Sequence, residues 1–120
     1  MKIRPIKAHL QEPVNMPGAK GARIRVLIGP EDGASNFHMR HFEVDPGGCT
    51  PHHQHDNEHE CLVLKGSGVI KSAEGDRSFK EGDVIFVPPN ETHQFCNTGD
   101  GSCEFLCLIP APQQSCECPG

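Results

Sequence analysis

Apolar and polar positions along this chain repeat mostly at a period of two. Ile24, Val26 and Ile28 alternate with Arg23, Arg25 and Leu27 over Ala22 to Ile28. In Phe37 to Val44, Phe42 and Val44 fall on one face and Phe37, Met39 and His41 on the other. Residues two apart on a strand share a face, so both segments predict strands. Cys61-Leu62-Val63-Leu64 and Val84 to Val87 are unbroken apolar runs, the pattern of strands buried on both faces. Shorter segments at Val69 to Ser72, at Arg77 to Lys80, from about His93, and at Cys103 to Ile109 complete the set. Between them stand turn formers: Gly29-Pro30-Glu31-Asp32-Gly33, Asp45-Pro46-Gly47-Gly48, Glu74-Gly75-Asp76, Pro88-Pro89-Asn90 and Thr98-Gly99-Asp100-Gly101. No segment has a convincing helical period. Short strands spaced by such turns predict an all-β sandwich or barrel.

The two ends read differently. Ile3, Ile6 and Leu10 are interrupted by Pro5, which suits an edge strand or an arm, and Gln11 to Gly21 reads as loop. Pro110 to Gly120 is polar and rich in proline. The expected organisation is one domain over 1–120, with a core at about 22–110, an N-terminal arm at 1–21 and a C-terminal tail at 111–120. No internal repeat or second domain is visible.

Composition narrows the function classes. Thirteen glycines and eleven prolines in 120 residues suit many turns. A formal net charge of −5 without a basic cluster argues against nucleic acid, and Trp and Tyr, the usual stacking platforms for single strands, are absent. No run approaches the ~20 apolar residues of a membrane-spanning helix. No charged start followed by an apolar stretch marks a secretory signal, so the expected compartment is the cytoplasm, where the seven cysteines would stay thiols.

The candidate chemistry is concentrated in histidine. His52, His53, His55 and His59, half of the eight in the chain, lie between Gly47 and Gly66. On a strand, His53 and His55 would share a face with alpha carbons about 6.6 Å apart, close enough to converge on one ion. Asp56-Asn57 would turn the chain back and bring His59 to the same point. His52 would point the other way from His53. The local expectation is strand, tight turn, strand, with three imidazoles converging and a fourth ligand from elsewhere.

Two stretches resemble the signature motifs of the cupin superfamily. The first motif is Gly, five residues, His, one residue, His, three or four residues, Glu, six residues, Gly; here it is met by Gly47, His53, His55, His59 in place of Glu, and Gly66. The second is Gly, five residues, Pro, one residue, Gly, two residues, His, three residues, Asn; here it is met by Gly82, Pro88, Asn90 in place of Gly, His93 and Asn97. Fifteen residues separate Gly66 from Gly82, a length typical of small single-domain cupins. The resemblance implies a double-stranded β-helix, or jelly-roll barrel, with one divalent transition metal held inside by His53, His55, His59 and His93. Mn, Fe, Ni, Cu and Zn all occupy such sites in cupins. A site of four histidines has no anionic ligand, so the centre would keep its full charge and favour an anionic ligand. A closed tetrahedral structural zinc is the competing arrangement.

Other groups remain to be placed. Glu58 and Glu60 flank His59 and should face away from it. One alternating pair among His38, Met39, Arg40 and His41 could line the barrel. Cys103, Cys107, Cys116 and Cys118 could hold a second metal, although cysteine in an apolar strand commonly acts as a small hydrophobe. Cys49, Cys61 and Cys96 neighbour the motifs, where a sulfur could tune a metal or be oxidised. Three function classes are consistent with these residues. They are a metal-dependent dioxygenase, isomerase or lyase acting on a small oxygen-rich, anionic metabolite in the barrel; a non-catalytic ligand- or metal-sensing module; and a structural metal site on a partner-binding domain. The arm around Ile3 and Ile6 would expose a strand edge, so a homodimer is expected.

Overall fold

The computed structural model of the chain describes residues 1–52, 54 and 56–111. His53, His55, Cys116 and Cys118 lie outside the described residues. The described part is an antiparallel β structure of nine strands: β1 (Glu12–Pro13), β2 (Lys20–Ile28), β3 (Phe37–Cys49), β4 (His59–Lys65), β5 (Ser67–Ser72), β6 (Gly75–Lys80), β7 (Val84–Val87), β8 (His93–Asn97) and β9 (Cys103–Pro110). The strand order is β6-β5-β8-β3-β9-β4-β7, with β2 and then β1 added beside β3. The sheet curls on itself, so the β5, β6, β8 side faces the β2, β3, β9, β4 side across one interior.

Strand register builds that interior in rows. Ile24 on β2 lies opposite Phe42, Phe42 opposite Phe105, and Phe105 opposite Val63 on β4. Phe105 stacks on Phe42 at 5.3 Å between centroids and on Phe95 of β8 at 4.6 Å, so one aromatic ring joins the two sides of the barrel. The next row runs Val26, Arg40, Cys107, Cys61 and Ile85 across five strands. The alternation in β2 and β3 settles the open phase on β3. Arg40 lies in the same inward-facing rows as Phe42 and Val44, whereas Met39 and His41 take the other face.

Two sequence expectations change. The Asp45-Pro46-Gly47-Gly48 turn is not a reversal, because β3 runs through it to Cys49 with a bulge against β2 between Lys20 and Ala22. The expected strand before Asp56 carries His53 and His55 and so falls outside the described residues. The apolar runs of β4 and β7 are not buried on both faces. β7 is the last strand of the sheet, with Val84 80% and Phe86 58% exposed, and Leu62 beside it on β4 is 38% exposed. A continuous apolar run here marks one core face and one open apolar face. Of the two alternatives for the first residues, an edge strand or an arm, no strand forms up to Leu10: a single 3-10 turn spans Ile6–Ala8, Ile3 is exposed, and β1 is two residues long.

The motif residues fix turns. Gly47, Gly66 and Gly82 have φ of +78°, +85° and +89°, values that β-carbon-bearing residues rarely adopt. Asn90, which replaces the expected glycine, has φ of 65°; asparagine is among the few residues that tolerate this region. Asn97 is structural. Its Nδ2 donates to the Val44 and Gly101 carbonyls, each at 2.8 Å, and its Oδ1 accepts from the Gly99 N–H at 2.9 Å.

Candidate metal centre

His59 begins β4 and His93 begins β8, and both side chains are buried inside the barrel. Their rings meet edge to face with centroids 5.0 Å apart. The Nδ1 of His93 donates to the Glu91 carbonyl at 2.9 Å, which fixes the tautomer that carries its lone pair on Nε2. Burial holds the His93 imidazole below its ordinary range, so the neutral, ligating form prevails at pH 7. His59 Nδ1 lies 3.1 Å from Cys107 Sγ, and its Nε2 is buried on the other edge of the ring. Two buried imidazoles with ring centroids 5.0 Å apart, each contacted at Nδ1, are a donor set that suits a divalent transition ion.

The segment that carries His53 and His55 is tied to β8. Thr50 N–H donates to the Phe95 carbonyl at 2.8 Å, and Thr50 Oγ1 accepts from Phe95 N–H at 2.9 Å. Gln94 Nε2 bonds the Thr50 carbonyl at 2.9 Å. Thr92 Oγ1 donates to Oε1 of Gln54, the residue between His53 and His55, at 3.2 Å. So the backbone that brings the first motif passes directly beside the residue before His93. Among the described residues no group of three or more His, Cys, Asp or Glu is placed to hold an ion together. His52 is exposed.

A disulfide joins Cys49 at the end of β3 to Cys96 on β8. This departs from the expectation that the cysteines stay thiols. Register explains it: Cys49 and Cys96 are the one directly paired position of β3 and β8. The bond closes a loop with a sequence separation of 47 that contains His53, His55, His59 and His93. Cys49→Ser is expected to cost about 2–4 kcal/mol of stability. Urea unfolding of unreduced protein measures this, and equal midpoints in variant and parent would contradict it.

Arg40 and Cys107 are site residues that sequence reasoning left unassigned. Arg40 Nη2 donates to Cys107 Sγ at 3.2 Å, and its guanidinium lies 5.2 Å from the Phe42 ring centroid. Cys61 and Cys107 share a hydrogen bond between their sulfurs. That bond, with His59 and Arg40 alongside, holds Cys107 well below the ordinary thiol range despite burial, while Cys61 is pushed up. Cys103, also buried on β9, is pushed up to about 11 by burial and behaves as the expected small hydrophobe. Glu60 faces outward, and its hydrogen bond with Glu58 raises it above the usual carboxylate range.

A cavity of about 340 Å³ opens over His59, His93, Arg40 and Cys107. Its walls are Val14 and Met16 from the N-terminal loop, Ile24 and Val26 from β2, and the rings of Phe42, Phe95 and Phe105. Arg40 is the only Lys or Arg among the described lining residues. A second cavity of about 310 Å³ reaches His93 from the β5, β6, β7 side and is lined by Glu74, Arg77, Asp83 and Glu91 as well as apolar groups.

A curled antiparallel barrel with histidines from its two signature segments facing one interior defines the class. The chain belongs to the cupin family: residues 40–109 match the family described as Cupin domain. It is 35% identical over 100 residues to the oxalate-binding protein of Thermotoga maritima, covering 79% of this chain and 81% of that protein. It is 30% identical over 81 residues to 1-methylthio-D-xylulose 5-phosphate methylsulfurylase of Rhodospirillum rubrum, and spans 52% of that relative's length. Among solved structures, the polyketide cyclase RemF from Streptomyces resistomycificus superposes with a TM-score of 0.87 at 36% identity, over 95% of this chain and 82% of that one. No described helix is long and apolar enough to cross a membrane.

Proposed function

We propose that His53, His55, His59 and His93 hold one divalent transition metal ion, drawn from Mn, Fe, Ni, Cu and Zn, and that the chain is an enzyme. Its substrate would be a largely apolar molecule carrying paired oxygen donors, such as an enolisable diketone. The observation that carries this reading is the cavity over His59 and His93, walled by Met16, Ile24, Val26 and three phenylalanines. Burying a flat hydrocarbon there gains about 25 cal/mol per Å² of apolar surface removed from water. This revises the small, purely anionic metabolite that the all-histidine ligand set suggests. When bound, the metal would act as a Lewis acid toward substrate oxygens. Phe42, Phe95 and Phe105 exclude water and orient the hydrocarbon. Arg40 places positive charge beside the cavity and stabilises negative charge developing on a substrate oxygen. The likeness to a polyketide cyclase supports ring closure of such a substrate as the reaction class.

A small-anion binder is the second reading, favoured by Arg40 at the cavity and by the likeness to an oxalate-binding protein. Calorimetric titration of metal-loaded protein with benzoylacetone and with oxalate separates the two. The aryl diketone is expected to bind at least about tenfold more tightly, because burying one aromatic ring gains ~1.5–3 kcal/mol. Tighter binding of oxalate would favour the second reading.

A homodimer belongs to the same proposal. The apolar surfaces a second copy would cover are Ile3 in the arm and Val84 and Phe86 on edge strand β7. Light scattering at tens of micromolar is expected to give twice the chain mass, and a monomer mass would remove the dimer.

A further inference from the structure

Three side chains surround the Cys107 sulfur. Arg40 lies directly opposite Cys107 on β3, Cys61 lies directly opposite it on β4, and His59 is one inward-facing position further along β4. Arg40 Nη2 reaches the sulfur at 3.2 Å and His59 Nδ1 at 3.1 Å. A guanidinium has no lone pair to offer, so Arg40 can only donate. Arg40 Nη2 also lies 3.4 Å from His59 Nδ1, a longer contact than either bond to sulfur. The 3.1 Å His59 contact has two arrangements, Nδ1–H to sulfur or thiol S–H to Nδ1. The cationic donor Arg40 on the same sulfur favours sulfur as the acceptor of both contacts, so that Nδ1 carries the ring proton and directs it at Cys107.

We propose that Cys107 is the positioning residue of His59: its sulfur accepts the Nδ1 proton and so leaves the buried Nε2 lone pair for the metal. Arg40 and Cys61 hold that sulfur in place. The inference rests on the four-histidine reading for its consequence but not for its geometry. Histidines that bind metals nearly always give their other ring N–H to a carboxylate, carbonyl or water. His93 uses the Glu91 carbonyl in this way, and His59 uses sulfur. A cysteine serving only as a small hydrophobe would not need this contact, and Cys103 supplies the comparison on the same strand.

The test has two readouts. Ring nitrogen NMR of metal-free protein reports the His59 tautomer, independently of whether metal binds. The expected result is an Nδ1–H tautomer in the parent and in Cys103→Ala, and a shift toward Nε2–H in Cys107→Ala. Cys107→Ser, whose hydroxyl keeps a partner for Arg40, is expected to retain the Nδ1–H form in part and covers the case in which the alanine variant does not fold. Competition with a chelator then reports metal affinity, expected to fall by about 10–100-fold in Cys107→Ala, less in Cys107→Ser, and not in Cys103→Ala. An Nε2–H tautomer in the parent, or an unchanged tautomer in the folded Cys107 variants, would overturn the proposal. Absence of metal binding by the parent would instead defeat the metal-site reading, while the tautomer still judges Cys107.

Discussion

Single replacement of His53, His55, His59 or His93 by Ala is expected to lower affinity for a divalent transition ion by more than about 100-fold. Loss of a hydrogen-bond partner behind a ligand already costs about 10–100-fold, and loss of the ligand itself removes a donor outright. His52→Ala is the matched control; His52 is exposed and adjacent in sequence, and its replacement is expected to leave affinity unchanged. His59→Glu restores the residue found in the first cupin motif and is expected to keep the metal. It replaces a neutral ligand with an anion, which shifts preference toward harder cations such as Mn and weakens small-anion binding. Metal content after dialysis against a chelator of known affinity measures each variant. A protein that needs His52 and tolerates loss of His59 would refute this ligand assignment.

Phe105→Ala is expected to destabilise the fold by about 3–5 kcal/mol, the range for removing a buried aromatic ring from a close-packed core. Phe105 is buried, stacks on both Phe42 and Phe95, and lies in register between Phe42 and Val63. Its removal takes out the contact that joins the two sides of the barrel. Small domains have only ~5–15 kcal/mol in total, so the variant should unfold at much lower urea. It also forms part of the cavity wall, so diketone binding should weaken in whatever protein remains folded. A loss below about 1 kcal/mol would show that the stacked row is not the structural core.

Much of this was legible in the residues, and the failures share a cause. Alternation located β2 and the first part of β3, where Ile24, Phe42 and Val44 face the core, but not the continuation of β3 to Cys49. It misread β4 and β7, where Leu62, Val84 and Phe86 are apolar yet exposed; periodicity reports side-chain type, not whether a neighbouring layer exists. The motif spacing led to His59 and His93, whose rings do meet. It did not lead to the Cys49–Cys96 bond or the Arg40–Cys107–Cys61 row, since both follow from cross-strand register between segments far apart in sequence. In the structure Cys103, Phe105 and Cys107 share the buried face of β9. Only pairing with β3 and β4 distinguishes Cys107, beside a guanidinium and an imidazole, from Cys103 in hydrocarbon. Asn90 was legible as a departure from the motif, and its positive φ shows why the departure is tolerated.

The central claim is a mononuclear centre with an all-imidazole protein ligand set, and X-ray absorption of the metal-loaded protein tests it most directly. Protein purified anaerobically without chelator should carry close to one equivalent of metal. For zinc, the absorption fine structure should show nitrogen neighbours at about 2.0–2.1 Å with the multiple scattering of four imidazoles and no sulfur shell. A sulfur neighbour at about 2.3 Å would place Cys107 or another thiolate on the metal, and a protein that retains no metal would contradict the account altogether.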